Sequence, residues 1–190
     1  MSFVSWKPSR KMIRRCTGKM TGEKFNGHTS RENGQGQFVG NMVEAAFYMW
    51  LRKFLTSDEV TYVADNMEFH DFVVCGCTFD AKAKERTVPA RPDYHCNVET
   101  RIKDKPCQYY VFGSVTKPEG VDNYYDTSRV ELLGYLPKRD FWELPRDDDG
   151  KPDKFPSHKI LHSRLRSMDD LKDNLEALAY RMAFGEVYVG

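Results

Sequence analysis

The sequence predicts an α/β fold: a central mixed β-sheet carrying a hairpin, flanked by one helix on its N-terminal side and one at the C-terminus. Three observations predict it. Apolar residues recur at helical spacing over residues 38–55. Six β-prone runs, separated by turn residues, follow between residues 60 and 136. A second helical stripe closes the chain over residues 168–184.

In the first helix Val39, Val43, Phe47, Trp50, Leu51 and Phe54 form the apolar face, Ala45 and Ala46 favour helix, and Arg52 and Lys53 suit its C-terminal end. Glu44 sits beside Val43 and one turn before Phe47, so it borders that face. Strands are expected over residues 60–64, 71–74 and 78–83. Cys75 and Gly76 lie between the last two, a short glycine-containing turn that reads as a hairpin. Pro89 and Pro92 make residues 85–92 a loop. Three more strands are expected over residues 94–100, 108–115 and 130–136, with a turn at 103–106. Pro145, Pro152 and Pro156 break residues 137–156 into a long surface loop. In the last helix Met168, Leu171, Leu175, Leu178 and Met182 make one stripe, Ser167 with Asp170 resembles a cap, and Gly185 stops it.

The 190 residues suit one domain, residues 37–190, led by a glycine-interrupted, loop-rich arm over residues 1–36. Hydrophobic residues at 40% are enough for a core and argue against disorder. No apolar run approaches the roughly 18–20 residues that span a bilayer, and the first residues lack a signal-peptide core, so a soluble cytoplasmic protein is expected. Five cysteines in no regular framework argue against a disulfide-stapled module. The net charge of +1 excludes a uniformly basic protein. The charge is uneven, however. Residues 1–24 carry Lys7, Arg10, Lys11, Arg14, Arg15, Lys19 and Lys24 against Glu23 alone, whereas Asp140, Glu143, Asp147, Asp148, Asp149 and Asp153 crowd residues 140–153. A basic arm beside a near-neutral body suits a polyanion; a solvated tail is the plainer alternative.

The chemistry concentrates in residues 70–84. Side chains alternate along a strand, so Asp80 and Lys82 share one face while Phe79, Ala81 and Ala83 turn to the core. Asp71 begins the partner strand and comes into the neighbourhood of Asp80. Neighbouring carboxylates repel, and one must gain a proton unless a cation is shared between them. Mg²⁺, which takes one or two carboxylates plus waters and phosphate oxygens, resolves that conflict. Such an ion polarises a phosphodiester and acidifies bound water, and Lys82 is placed to stabilise negative charge on phosphate.

Asp71, eight intervening residues and the triplet Asp80, Ala81, Lys82 resemble the motif of the PD-(D/E)xK, or restriction-endonuclease-like, nucleases. The helix around Gly40 to Phe47 resembles the upstream helix that lends a Glu to the family's site. Arg91 to Tyr94, Gln108 to Phe112 and Val130 to Tyr135 resemble the strands after the catalytic hairpin, so the likeness spans residues 38–136. His70, rather than proline, precedes Asp71. The resemblance implies a small phage- or prokaryote-type nuclease using Mg²⁺, with Mn²⁺ as substitute. It implies metal ligands Glu44, Asp71, Asp80 and the Ala81 carbonyl, with Lys82 as catalytic lysine. Its substrate is expected to be nucleic acid, foremost DNA, in the cytoplasm of a host if phage-encoded. A homodimer would let such an enzyme cut two strands.

Lys84, Arg86 and Arg91 follow the triplet and are candidate phosphate contacts, as are Arg14 and Arg15 in the arm. Other groups are weaker. Cys75 and Cys77 with His70, or His95 and Cys96, have no second ligand pair for structural zinc, and packing around the turn explains the cysteines better. His158 and His162 stand four residues apart in an unassigned stretch. His95, Asn97 and Glu99 alternate on one strand face. The competing functional class is a non-catalytic module that binds nucleic acid or protein, its carboxylates serving structure.

Overall fold

The computed structural model describes residues 3–18, 35–63, 70–117, 126–148, 150 and 155–185. The architecture is α/β with a mixed central sheet. Its elements run β1 (Val4–Trp6), α1 (Arg10–Gly18), α2 (Gln35–Leu51), β2 (Val60–Tyr62), β3 (Phe72–Val74), β4 (Cys77–Arg86), β5 (His95–Glu99), β6 (Tyr109–Thr116), β7 (Arg129–Pro137), α3 (Lys138–Glu143), β8 (Ser157–Leu161) and α4 (Met168–Phe184). Six strands form the central sheet in the order β1-β7-β6-β4-β3-β2, and β5 pairs with β8 in a separate two-stranded sheet. All neighbours in the central sheet are antiparallel except β4 and β6, which are parallel from Phe79↔Tyr109 to Arg86↔Thr116. A parallel pair needs a crossover, and β5 lies within it.

Each face of the sheet has its own core. Phe79, Val111, Val115, Val130 and Leu132 face α2 and α4, where they pack against Met42, Val43, Phe47, Leu171 and Leu175. Gly113 sets how close α2 comes, because a Cβ there would stand 2.5 Å from Val43 and 2.9 Å from the Glu131 carbonyl. The two flanking helices therefore share one face rather than bracketing the sheet. Tyr110, Phe112, Leu133 and Leu136 face the other way, against Phe141 of α3, Cys96 and Val98 of β5 and Ile160 of β8.

Several sequence expectations need correction. The lead-in over residues 1–36 is not uniformly loose: β1 pairs with β7, and α1 buries Ile13 and Cys16, since its apolar residues recur on one side of a helix with no acid. The part at residues 19–34 lies outside the described residues, as do Ala64 of the first expected strand and Asp149 and Asp153 of the acidic run. The expected loop at 85–92 begins later, because β4 runs through Arg86 beside the parallel β6. The expected surface loop at 137–156 holds α3, whose Phe141 is buried between Tyr110, Phe112 and His158. Residues 157–161 are a strand, and the strand expected at 94–100 belongs to the small sheet. Ala83 is exposed, since neither β3 nor α2 covers that part of β4. In α4, Met168, Leu171 and Leu175 are buried, but Met182 is 61% exposed, so the stripe ends halfway.

Local signals fared better. The Ser167 side chain accepts from the Asp170 N–H, and Gly185 ends α4 at φ +70°. Cys75 and Gly76 both adopt positive φ, 46° and 76°, as a two-residue hairpin turn demands. Among the described residues no helix is long and apolar enough to cross a membrane.

Candidate functional site

The hairpin β3–β4 sets the site. Its register ends with Phe72 paired to Phe79. One residue before, the Asp71 N–H donates to that same Phe79 carbonyl at 2.9 Å, out of the register that would face it to Asp80, and the Val63 N–H donates to the Asp71 carbonyl at 2.9 Å. There the two strands part. The Asp71 carboxylate replaces the missing strand carbonyl, its Oδ2 accepting the Ala81 N–H at 2.6 Å. It thus lies near the plane of the sheet, at the point where β4 loses its neighbour. The Ala81 carbonyl points to the same edge as its N–H, as alternation along an extended strand requires.

The other groups approach from the two faces. Asp80 and Lys82 share the face of Tyr110, while Phe79 and Ala81 face α2, so the expected alternation holds here. Asp80 is 6% exposed, and Lys82 Nζ reaches both its oxygens, at 2.7 and 2.6 Å. The same ammonium stands 5.7 Å from the Tyr110 ring centroid. Glu44 comes from α2 on the opposite face, and its Oε2 accepts the Tyr62 hydroxyl at 2.5 Å.

Electrostatics show that these groups feel one another. Burial raises the Asp71 carboxyl well above the carboxylate range, and the charges of Asp80 and Glu44 raise it further; Lys82 and the Ala81 N–H oppose them only in part. Burial works against the Lys82 charge, but Asp80 and Asp71 outweigh it and hold the ammonium above its ordinary value. Burial and the bond to Glu44 push the Tyr62 phenol upward. Asp71 thus stands within electrostatic reach of Asp80, Glu44 and Lys82, at the edge where β3 and β4 part.

The carboxylate oxygens here are hard donors, the kind that suit a hard cation such as Mg²⁺. Among the described residues no group of three or more His, Cys, Asp or Glu side chains is placed so as to hold a metal ion. An ion held by one or two carboxylates and completed by water and phosphate does not need such a group.

Two neighbours escaped the sequence reading. Tyr62 ends β2 beside Glu44, and nothing in its local pattern marks it. Cys107 adjoins Asp80 and Lys82, its thiol pushed up to about 12 by burial and by the Asp80 charge. It stands 27 residues after Asp80 and arrives only because β6 pairs with β4.

The basic candidates divide. Arg86 is spent inside the fold: its Nη2 donates to the His95 carbonyl at 2.9 Å and lies 3.0 Å from His162 Nε2, with the guanidinium over Tyr94. Its expected phosphate contact is therefore withdrawn, because β4 extends far enough to carry it under the small sheet. Arg91 is exposed, 3.8 Å from Asp93 and over the other side of the loop's Tyr94. Arg14 and Arg15 are exposed on α1, and Lys84 is half-buried on the face of Lys82. His158 and His162 do not form a helical pair; one is in β8 and the other follows it, each packed on aromatic rings. All five cysteines are free thiols. Compared with known proteins, the chain matches no family model, no curated protein and no solved structure.

Proposed function

We propose that this protein is a metal-dependent nuclease of the restriction-endonuclease-like kind, hydrolysing phosphodiester bonds in nucleic acid, foremost DNA. The observation that carries the reading is the grouping of Asp71, Asp80 and Lys82 where β3 and β4 part, with the Asp71 carboxyl raised by burial and then by the charges of Asp80 and Glu44. Carboxylates held together against their repulsion lower stability, and a cation-dependent site gives that arrangement a use. Asp71, Asp80, Glu44 and the Ala81 carbonyl would hold Mg²⁺, with Mn²⁺ as substitute. When bound, the ion polarises the phosphodiester and acidifies a water.

The chain's own residues supply the rest. Asp71, fixed by the Ala81 N–H, and Asp80, fixed by Lys82, present oxygens in set directions. The Lys82 ammonium stays charged and reaches the same space, so it can donate to a phosphate oxygen as negative charge builds there. The Tyr110 ring lies beside the Lys82 ammonium. Lys84, Arg91, Arg14 and Arg15 would hold the backbone, and such binding weakens with salt.

A second reading has its own support. Both aspartates already have partners within the fold, the Ala81 N–H and Lys82, as expected if they serve structure in a non-catalytic binding module. One experiment separates the two. Purified wild type and Asp80→Asn are given labelled linear, nicked, branched and single-stranded DNA and RNA, with Mg²⁺, Mn²⁺ or EDTA. Metal-dependent cleavage that disappears in a folded Asp80→Asn is the expected result. No cleavage of any substrate, with equal nucleic-acid binding by both proteins, would sink the nuclease and leave the binding module.

A further inference from the structure

On the α2 face lies a cavity of about 460 Å³ between α1, α2 and β2. That volume lies in the range of about 300–1,000 Å³ typical of small-molecule sites. Glu44 and Tyr62 belong to its wall, and Glu44 is one of the charges that raise Asp71. Half of the remaining lining is apolar or aromatic, from Met12, Ala45, Tyr48, Met49 and Val60, and Ser9, Asn41 and Cys16 add polar groups. Tyr48 and Met49 are 40% and 46% exposed, unusual for large apolar side chains and adjacent on one stretch of α2. Lys11 and Arg15 also line the cavity and are exposed, and α1 carries Arg10 and Arg14 beside them with no acidic residue.

An aromatic and apolar wall with exposed cations beside it is the chemistry of an unpaired nucleotide: a base laid against Tyr48 and Met49, its phosphates held by Arg15 and Lys11. A paired base cannot use such a site, since both its faces are covered by its neighbours in the stack. A duplex is also far too wide to enter the cavity. We infer that the α1–α2 cavity binds an unpaired nucleotide of the nucleic-acid substrate, so that the protein acts on single-stranded or frayed ends and not on intact duplex. The inference rests on the proposed nuclease reading and specifies its substrate class.

The test is binding in EDTA, which separates it from cleavage. Fluorescein-labelled single-stranded oligonucleotides, deoxy and ribo, and a blunt duplex of the same sequence are titrated by anisotropy with wild type, Tyr48→Ala, Tyr48→Trp, Met49→Glu and Arg15→Ala. Wild type is expected to prefer at least one single strand over duplex by about tenfold or more, the scale of one stacked base. The sugar that shows the preference identifies the substrate. Tyr48→Ala and Met49→Glu should erase that preference, and Tyr48→Trp should keep it. Arg15→Ala should weaken every ligand and lower the slope of log affinity against log salt by about 1. Both residues of the α2 rim are exposed, so their loss leaves the core filled, and circular dichroism verifies the fold. Equal affinity for single strand and duplex, or an unchanged preference in Tyr48→Ala, overturns the inference. If wild type cleaves but shows no preference, the cavity assignment fails while the nuclease stands. If the preference holds through Tyr48 but nothing is cleaved, the nuclease fails while the cavity stands.

Discussion

Two acidic centres in this molecule, Glu131 and the half-buried Asp71, are built on opposite principles. Glu131 on β7 is 2% exposed, yet its oxygens are answered by donors: Oε2 accepts the Ala90 N–H at 2.9 Å and the Ser114 hydroxyl at 3.1 Å, and Oε1 lies 3.5 Å from Arg129. It fastens the segment after β4 back onto the sheet. Asp71 is partly shielded from water but has one N–H and two carboxylate neighbours, and its proton affinity rises accordingly. Burial of a charge is tolerated when partners replace water, as at Glu131. At Asp71 the Ala81 N–H and the Lys82 charge only partly offset burial and the two like charges.

The largest expected effect falls on catalysis. Under the proposed function Asp80→Asn, Asp71→Asn and Lys82→Ala each reduce cleavage by at least about 100-fold, the scale of losing a charge-stabilising group. Glu131→Gln should leave kcat within about threefold, because it touches no substrate. Comparable losses at Glu131 and Asp80 would erase the distinction.

Stability should reverse the order. Glu131→Ala leaves the Ala90 N–H and the Ser114 hydroxyl buried without an acceptor, and should cost about 3 kcal/mol in urea unfolding. A change below about 1 kcal/mol would mean that water or a rearrangement satisfies them.

The same contrast between satisfied and unsatisfied burial applies to His162. It is fully buried against Arg86, and burial together with that charge lowers its pKa to about 4. The unfolded chain takes up this proton near pH 6.5 and the folded one only near 4, so stability should fall as pH drops through that window and level off below it. The loss is at most about 3 kcal/mol, read from urea midpoints between pH 7 and 4. His162→Gln should flatten that slope; an unchanged slope would assign it to other groups.

The smallest effect has the most diagnostic sign. Asp71 is raised in the folded state, so its ionised form is destabilising as pH rises above the ordinary carboxylate range. Asp71→Asn keeps an oxygen for the Ala81 N–H and removes the repulsion, so in EDTA at neutral pH it should stabilise by about 0.5–2 kcal/mol. Mg²⁺ should raise the melting temperature of wild type and not of Asp71→Asn. Destabilisation by Asp71→Asn would class Asp71 with Glu131 as a structural acid.

How much of this the sequence held depends on the range of the interaction. The α2 and α4 periodicities, the Ser167 cap and the Cys75–Gly76 turn are decided within a few residues, and each was legible. The hairpin made Asp71, Asp80 and Lys82 readable as one group, because a tight turn joins their strands. Phe141 was hidden among prolines, since a six-residue helix is held by the core it enters and not by its own propensity. Residues 157–161 were unassigned because their partner, β5, lies about sixty residues earlier.

By itself the sequence determined the class of fold, the hairpin and the shared face of Asp80 and Lys82, all of them consequences of local periodicity and turn chemistry. Only the tertiary structure decided that Arg86 bonds to the His95 carbonyl beside His162, that Glu44 meets Tyr62, and that Lys82 lies over the Tyr110 ring. Those placements depend on which strands pair and on how far α2 stands from Gly113. Such distances are set by the packing of residues far apart in the chain, which no stretch of sequence carries alone.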